Sequence, residues 1–289
     1  DITGIEANLA FAGGAMWGDP DNDGLSDLYM GNFGAPNRIF QNMGPMMFID
    51  AATPPTDDPM DGAGVQWVDI DNDGWLDLHV TTVNGGLNRV FLNQGGGMYT
   101  DATMPPMDDP LDALDAAWGD FDNDGDLDCY LVRLGAPNDL FRNLGGGQFG
   151  LVADPALADA GTGYGAAWGD VDNDGDLDLY LCNYGQPNRL FANTPGGFLD
   201  VTNGPLGDPN LSSGCAFADH DNDGDLDLYL SQASGANKLL RNDGGFVFSD
   251  ATSGPLGDTA VGMGTVFADY DNDGDLDIYL VNHGSANKL

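Results

Sequence analysis

The chain has 289 residues, with 47 acidic side chains against 8 basic ones and a formal net charge of −39. A field of that sign repels nucleic acid and anionic membrane surfaces, which excludes both as expected partners. No apolar run approaches membrane-spanning length, which excludes direct membrane insertion. Forty-four glycines and 16 prolines beside a single glutamate, Glu6, point to short strands and tight turns and hence to an all-β fold.

The chain starts at Asp1 rather than at a methionine and carries no signal peptide, so it reads as a processed or excised segment. Its first informative stretch is the aspartate loop at 19–27. The same nine-residue pattern returns at 69–77, 120–128, 170–178, 219–227 and 269–277, with first aspartates 49 to 51 residues apart. A fixed period of this length marks a propeller, solenoid or array.

Every copy has Asp at loop positions 1, 3, 5 and 9, Asn at 4 and Gly at 6. Four carboxylates so close together repel one another unless a cation sits among them. Hard oxygen donors select a hard cation, and the adaptable shell of Ca²⁺ suits such a loop better than the strict octahedron of Mg²⁺. The side-chain ligands expected at positions 1, 3, 5 and 9 are Asp19, Asp21, Asp23 and Asp27; Asp69, Asp71, Asp73 and Asp77; Asp120, Asp122, Asp124 and Asp128; Asp170, Asp172, Asp174 and Asp178; Asp219, Asp221, Asp223 and Asp227; and Asp269, Asp271, Asp273 and Asp277. Position 7 varies freely, as Leu25, Trp75, Asp126, Asp176, Asp225 and Asp275, so it is assigned a backbone carbonyl ligand. The glycine permits the sharp turn around the ion. One Ca²⁺ per repeat, about six in all, would leave a net charge near −27. An EF-hand is excluded because position 12 holds Met30, Val80, Leu131, Leu181, Leu230 and Leu280 instead of a glutamate, and because the loop runs into strand-like sequence rather than a helix.

Around each loop the repeat divides into four strand-like stretches. The first ends in an aromatic two residues before the loop, namely Trp17, Trp67, Trp118, Trp168, Phe217 or Phe267, which reads as packing between adjacent sheets. Small residues such as Gly13, Gly14, Gly62 and Gly64 suit a crowded first strand. The second alternates as in 177–181 and carries Tyr29, His79, Tyr130, Tyr180, Tyr229 or Tyr279 at one place, so His79 reads as packing. His220, at the variable loop position 2, and His283 read as non-catalytic. After a Pro-Asn turn, the third stretch opens with a lone cation (Arg38, Arg89, Arg189, Lys238, Lys288; Asp139 is the exception) that is expected to pair with a nearby aspartate. A glycine-rich turn leads to the fourth. The connections 54–61, 104–115, 153–162, 205–213 and 255–260 vary most, and loops of that kind most easily carry binding specificity. Asn210-Leu211-Ser212 forms a glycosylation sequon. Cys129 and Cys215 read as small buried hydrophobes, and Cys129, Cys182 and Cys215 form no CxxC or disulfide framework.

These features predict one domain over 1–289, a β-propeller of six four-stranded blades of about 50 residues. Asp1-Ile2-Thr3 matches the end of a fourth strand and Lys288-Leu289 the start of a third, so the two termini are expected to complete one blade and close the ring. The alternative is a section of a longer array.

The pattern Phe-x-Asp-x-Thr at 198–202, the run at 168–180 and Asn-Arg-Leu-Phe-x-Asn at 188–193 resemble the FG-GAP/VCBS repeats, which also build the propeller of integrin α subunits. The resemblance covers nearly the whole chain. It implies Ca²⁺ on one face, at the loops joining first and second strands, and an extracellular binding or adhesive role. Six repeats stand here where the integrin propeller has seven, and no ligand-binding domain is inserted, so integrin ligands are not carried over. Aspartate loops of ~10⁻⁴ to 10⁻³ M affinity also belong to extracellular modules. The expectation is a secreted or cell-surface, non-enzymatic module with no catalytic residues, which recognises an extracellular protein or glycan. Self-association into a calcium-dependent surface layer or filament is the alternative. An accessory role to a lyase or hydrolase has little support, because HExxH and Gly-x-Ser-x-Gly are both absent.

Overall fold

The computed structural model describes residues 12–45, 47–159, 161–271 and 274–289. Asp1-Ile2-Thr3, on which ring closure rests, and Asp273 of the sixth loop lie outside the described residues. The chain divides into two compact units, one of residues up to 118 with 124–134 and 139–152, the other of 119–123, 135–138 and 153–289.

The first unit carries three antiparallel sheets, each with four strands in sequence order. They are β1 (Ala12–Gly18) to β4 (Phe48–Asp50) through β2 (Asp27–Asn32) and β3 (Arg38–Asn42); β5 (Gly62–Val68) to β8 (Tyr99–Asp101) through β6 (Asp77–Thr82) and β7 (Arg89–Asn93); and β9 (Ala113–Gly119) to β12 (Phe149–Val152) through β10 (Asp128–Arg133) and β11 (Asp139–Asn143). The second unit repeats the plan with β13 (Gly163–Gly169), β14 (Asp178–Asn183), β15 (Arg189–Ala192) and β16 (Leu199–Asp200), then β17 (Leu211–Ala218), β18 (Asp227–Ser234), β19 (Lys238–Asn242) and β20 (Phe248–Asp250). The sixth repeat forms a two-stranded sheet of β21 (Val261–Ala268) and β22 (Asp277–His283), with one bridge from Leu280 to Lys288. Among the described residues there are therefore five complete four-stranded sheets and a partial sixth, and the terminal strand expected to complete a sixth blade falls on residues outside them.

The second strands alternate in sequence, and all six residues of β2, β6, β10 and β14 are buried. Asn32, Thr82 and Asn183 each donate a backbone N–H to the side-chain oxygen of Asn37, Asn88 or Asn188 in the following turn, and the amides of Asn32 and Asn183 donate to the carbonyls of Pro36 and Pro187.

Aromatic rings join neighbouring repeats, as expected. Tyr29 meets Trp67 edge-on at 6.0 Å, Tyr180 meets Phe217 at 6.3 Å and Tyr229 meets Phe267 at 6.3 Å. Each of these tyrosines is fully buried, and its hydroxyl donates to a carbonyl in the connection that follows, that of Thr56, Leu206 or Leu256. Trp17 departs from the expected set by leaving half its surface exposed. Close approach explains the small first strands: a Cβ on Gly13 would stand 2.1 Å from the Gly62 carbonyl oxygen, and one on Gly64 2.9 Å from that of Leu114.

His79 takes the tyrosine place in the second repeat. It lies fully buried, edge-on to Trp118 at 5.4 Å, with neither ring nitrogen hydrogen-bonded. Burial pushes its pKa down from 6.5 to about 4. The unfolded chain therefore takes up the proton first, so this contribution to stability is complete above pH 6.5 and is lost as pH falls towards 4. His79→Tyr is expected to remove about 2 kcal/mol of the stability lost between pH 7.5 and 5, read as the difference between wild-type and variant denaturation curves at the two pH values. Parallel pH profiles for the two proteins would refute it.

The lone cations of the third strands pair with aspartates, as expected. Arg38 meets Asp50 at 2.9 Å, Arg89 meets Asp58 at 2.7 Å, Arg189 meets Asp200 at 2.7 Å, Lys238 meets Asp208 at 2.6 Å and Lys288 meets Asp258 at 2.7 Å. Where Asp139 replaces the cation, Arg133 on the neighbouring strand faces it at 2.6 Å and restores the pair. The variable connections prove to be partly internal. Asp58, Asp208 and Asp258 in them are buried, and their carbonyls accept from the N–H of Asn37, Asn188 and Asn237. In these three connections that half holds its own sheet in place. Cys129 and Cys182 are buried and Cys215 half-buried, all as free thiols.

Candidate metal centres

Each aspartate loop joins a first strand to a second, and its shape is set by two residues with positive φ. Asn22, Asn72, Asn123, Asn173 and Asn222 lie at φ 54–61°, and the glycines at loop position 6 at 86–96°. Asparagine and glycine are the residues that tolerate this region. With the chain so bent, the position-1 carboxylate caps its own loop. Asp69 accepts from Asp73 N at 3.0 Å and Gly74 N at 2.9 Å, and Asp170 and Asp219 do the same in their loops. The position-5 carboxylate accepts from the position-7 N–H, as Asp73 does from Trp75 at 2.9 Å and Asp174 from Asp176 at 2.9 Å.

Position 9 opens the second strand and is buried as Asp27, Asp77, Asp128, Asp178 and Asp227, and half-buried as Asp277. Asp77 accepts from Ile70 N at 2.8 Å and Asn93 N at 2.7 Å, and Asp178 from Val171 N at 3.0 Å and Asn193 N at 2.8 Å. It is thus a structural acceptor as well as a candidate ligand. Carboxylate oxygens of Asp19, Asp21 and Asp23 lie within 4.8 Å of one another, as do those of Asp69, Asp71 and Asp77, and those of Asp170, Asp172 and Asp178. In the third loop, Asp128 accepts from Asn143 N at 2.7 Å, and Asp124 from Asp126 N at 3.0 Å and from Arg142 at 2.7 Å. In the sixth, Asp269 accepts from Gly274 N at 3.1 Å and Asp277 from Tyr270 N at 3.0 Å.

The clusters fit a hard cation. Asp71 Oδ1 is buried with no hydrogen-bond partner, although Asp69 and Asp77 stand beside it. Burial pushes Asp77 up to about 7 and Asp27 and Asp178 up to about 6, with neighbouring loop carboxylates adding to the shift. Asp71 and Asp172 are raised by burial and then by their loop neighbours. Raised folded-state values mean that, without a cation, these groups favour the folded protein at low pH and cease to do so as pH rises through about 6 to 7. A divalent ion reverses that by stabilising the anions.

Two features of the loops were not read from sequence. Position 7 does not vary idly: Asp126, Asp176, Asp225 and Asp275 each accept a hydrogen bond from an asparagine of the preceding loop. His220, passed over at a variable place, brings Nδ1 onto the Asp227 carboxylate and groups with Asp221 and Asp227. The available signal was chemical, since position 2 is otherwise Pro20, Ile70, Phe121, Val171 or Tyr270.

Comparison with solved structures finds the same fold at low identity. BBS1N in complex with ARL6DN matches at TM-score 0.60 and 15% identity in a lead-soaked crystal, over 93% of this chain and 75% of that one. A mercury-soaked crystal of the same complex matches at 0.58 and 12%, over 89% and 71%. Virginiamycin B lyase from Staphylococcus aureus matches at 0.56 and 11%, over 94% and 77%. A search of curated proteins returns no match. The model of the FG-GAP-like repeat matches five times, at residues 19–80, 69–131, 130–181, 170–230 and 221–280. With the matches spanning every aspartate loop, the chain belongs to the FG-GAP-like repeat family.

Proposed function

We propose that this protein is a calcium-binding, propeller-type recognition module, non-enzymatic, acting outside the cell or at its surface. The observation that carries the calcium reading is the buried, unpartnered Oδ1 of Asp71 within a cluster of three carboxylates. In each loop the side chains at positions 1, 3, 5 and 9 hold the ion, together with the position-7 carbonyl, including those of Leu25 and Trp75. Bound calcium supplies positive charge that offsets the mutual repulsion of the aspartates. The ligand proposed is a protein or a glycan; BBS1N in complex with ARL6DN is one protein of similar fold that has a protein partner. An enzymatic reading has one observation on its side, the likeness to virginiamycin B lyase, and at 11% identity that likeness extends to the fold alone.

Calorimetric titration of metal-stripped protein tests the reading. About six Ca²⁺ per chain are expected at pH 7.5. Affinity is expected to fall several-fold by pH 5.5, because protons compete for Asp27, Asp77 and Asp178. Absent binding, or affinity independent of pH, would count against it.

A further inference from the structure

Loop position 4 is asparagine in all six repeats, yet it is not among the expected ligands. In every described instance its side chain reaches the loop of the next repeat. Asn72 Nδ2 donates to the Asp126 carboxylate at 2.6 Å and the Gly125 carbonyl at 3.2 Å. Asn123 donates to Asp176 at 2.8 Å and Gly175 O at 3.4 Å, and Asn173 to Asp225 at 2.7 Å and Gly224 O at 3.4 Å. Asn222 donates to Asp275 at 3.1 Å. Asn22 donates to Gly74 O at 3.2 Å, the seventh position there being Trp75.

We propose that this asparagine is a positioning residue that couples successive calcium loops, so that an ion bound in one loop strengthens binding in the next. The proposal rests on the calcium reading above. Its logic is geometric. The asparagine sits between ligand positions 3 and 5, so a loop closed around its ion fixes the asparagine backbone. The amide grips the next loop at the position-6 carbonyl and the position-7 side chain, on either side of the peptide that leads to the position-7 carbonyl. That carbonyl is then aimed before its own ion arrives, and part of the ordering cost of the second loop is already met. The amide donor also offsets the extra negative charge of the position-7 aspartate. Coupling of this kind is reciprocal, so each loop strengthens its predecessor by the same factor.

Glycine keeps the positive φ at position 4 and removes only the amide. The test is a calorimetric calcium titration of the quadruple variant Asn72→Gly, Asn123→Gly, Asn173→Gly, Asn222→Gly. Asn84→Gly serves as the control: Asn84 also lies at positive φ, 60°, but its amide donates to Asp61, outside the aspartate loops. Wild type and control are expected to titrate cooperatively. The quadruple variant is expected to bind as many ions, with a midpoint about tenfold higher and a Hill coefficient near one. Equal midpoint and steepness in variant and wild type would overturn the coupling and leave the calcium reading intact. Wild type that takes up no calcium would overturn both. Should the quadruple variant fail to fold, Asn173→Gly alone decides by amide hydrogen exchange in calcium. Faster exchange is expected within 219–227 with 69–77 unchanged, and equal protection of both loops would overturn the proposal.

Discussion

Removing calcium with a chelator is expected to lower the melting temperature by about 15–30 °C. At a concentration ten times Kd each site adds about 1.4 kcal/mol to the folded state, so six sites together add about 8 kcal/mol. That is comparable with the whole stability of an ordinary domain, and in a chain of this size each kcal/mol corresponds to about 2–4 °C. The effect arises because the loops are costly without the ion: Asp77 is buried and its carboxyl is raised to about 7, so the metal-free fold holds anions that it disfavours. Scanning calorimetry in calcium and in EDTA measures it. Superimposed transitions would mean that the loops are solvated turns.

Asp77→Ala is expected to destabilise the protein by about 4 kcal/mol even in chelator. The substitution leaves the N–H groups of Ile70 and Asn93 without their acceptor inside the sheet, and each orphaned buried donor costs about 1–3 kcal/mol. Asp71→Ala, one side chain away in the same cluster, deprives no backbone group of this kind in β6 or β7. It is expected to change stability in chelator by less than about 1 kcal/mol and to remove the calcium-dependent increment of a single site. Urea denaturation of the two variants with and without calcium separates the roles. Equal losses for both in chelator would show that position 9 carries no special structural burden.

Much of this was legible in the sequence because the relevant partners are close along the chain. The four-aspartate spacing, the glycine turn and the strand on either side of each loop are local, and the structure places strand, loop and strand accordingly. The pairing of Arg89 with Asp58 or Lys238 with Asp208 followed from charge alone, since a lone cation in so acidic a chain has few other fates. The parts that were missed depend on partners about fifty residues away. Asn72 looks like a turn residue until its contact with Asp126 is seen, and Asp126 looks like idle variation for the same reason. The connections looked like free surface because burial of Asp58 or Asp208 depends on the turn that packs beneath them.

The asparagine that ends the third strand has a wider bearing. Asn93 Nδ2 donates to Leu76 O within its own repeat at 3.0 Å and to Pro20 O of the preceding repeat at 2.7 Å. Asn143 repeats this with Leu127 O and Ile70 O, and Asn242 with Leu226 O and Val171 O. In these three sheets a buried amide thus finds one of its two acceptors in the preceding repeat. Such a molecule behaves as a linear chain of nearest-neighbour interfaces, in which a module transplanted alone arrives with an unmet donor. Shuffling these modules between related proteins will succeed in adjacent pairs and fail in singles, because heredity here acts on the junction as much as on the repeat.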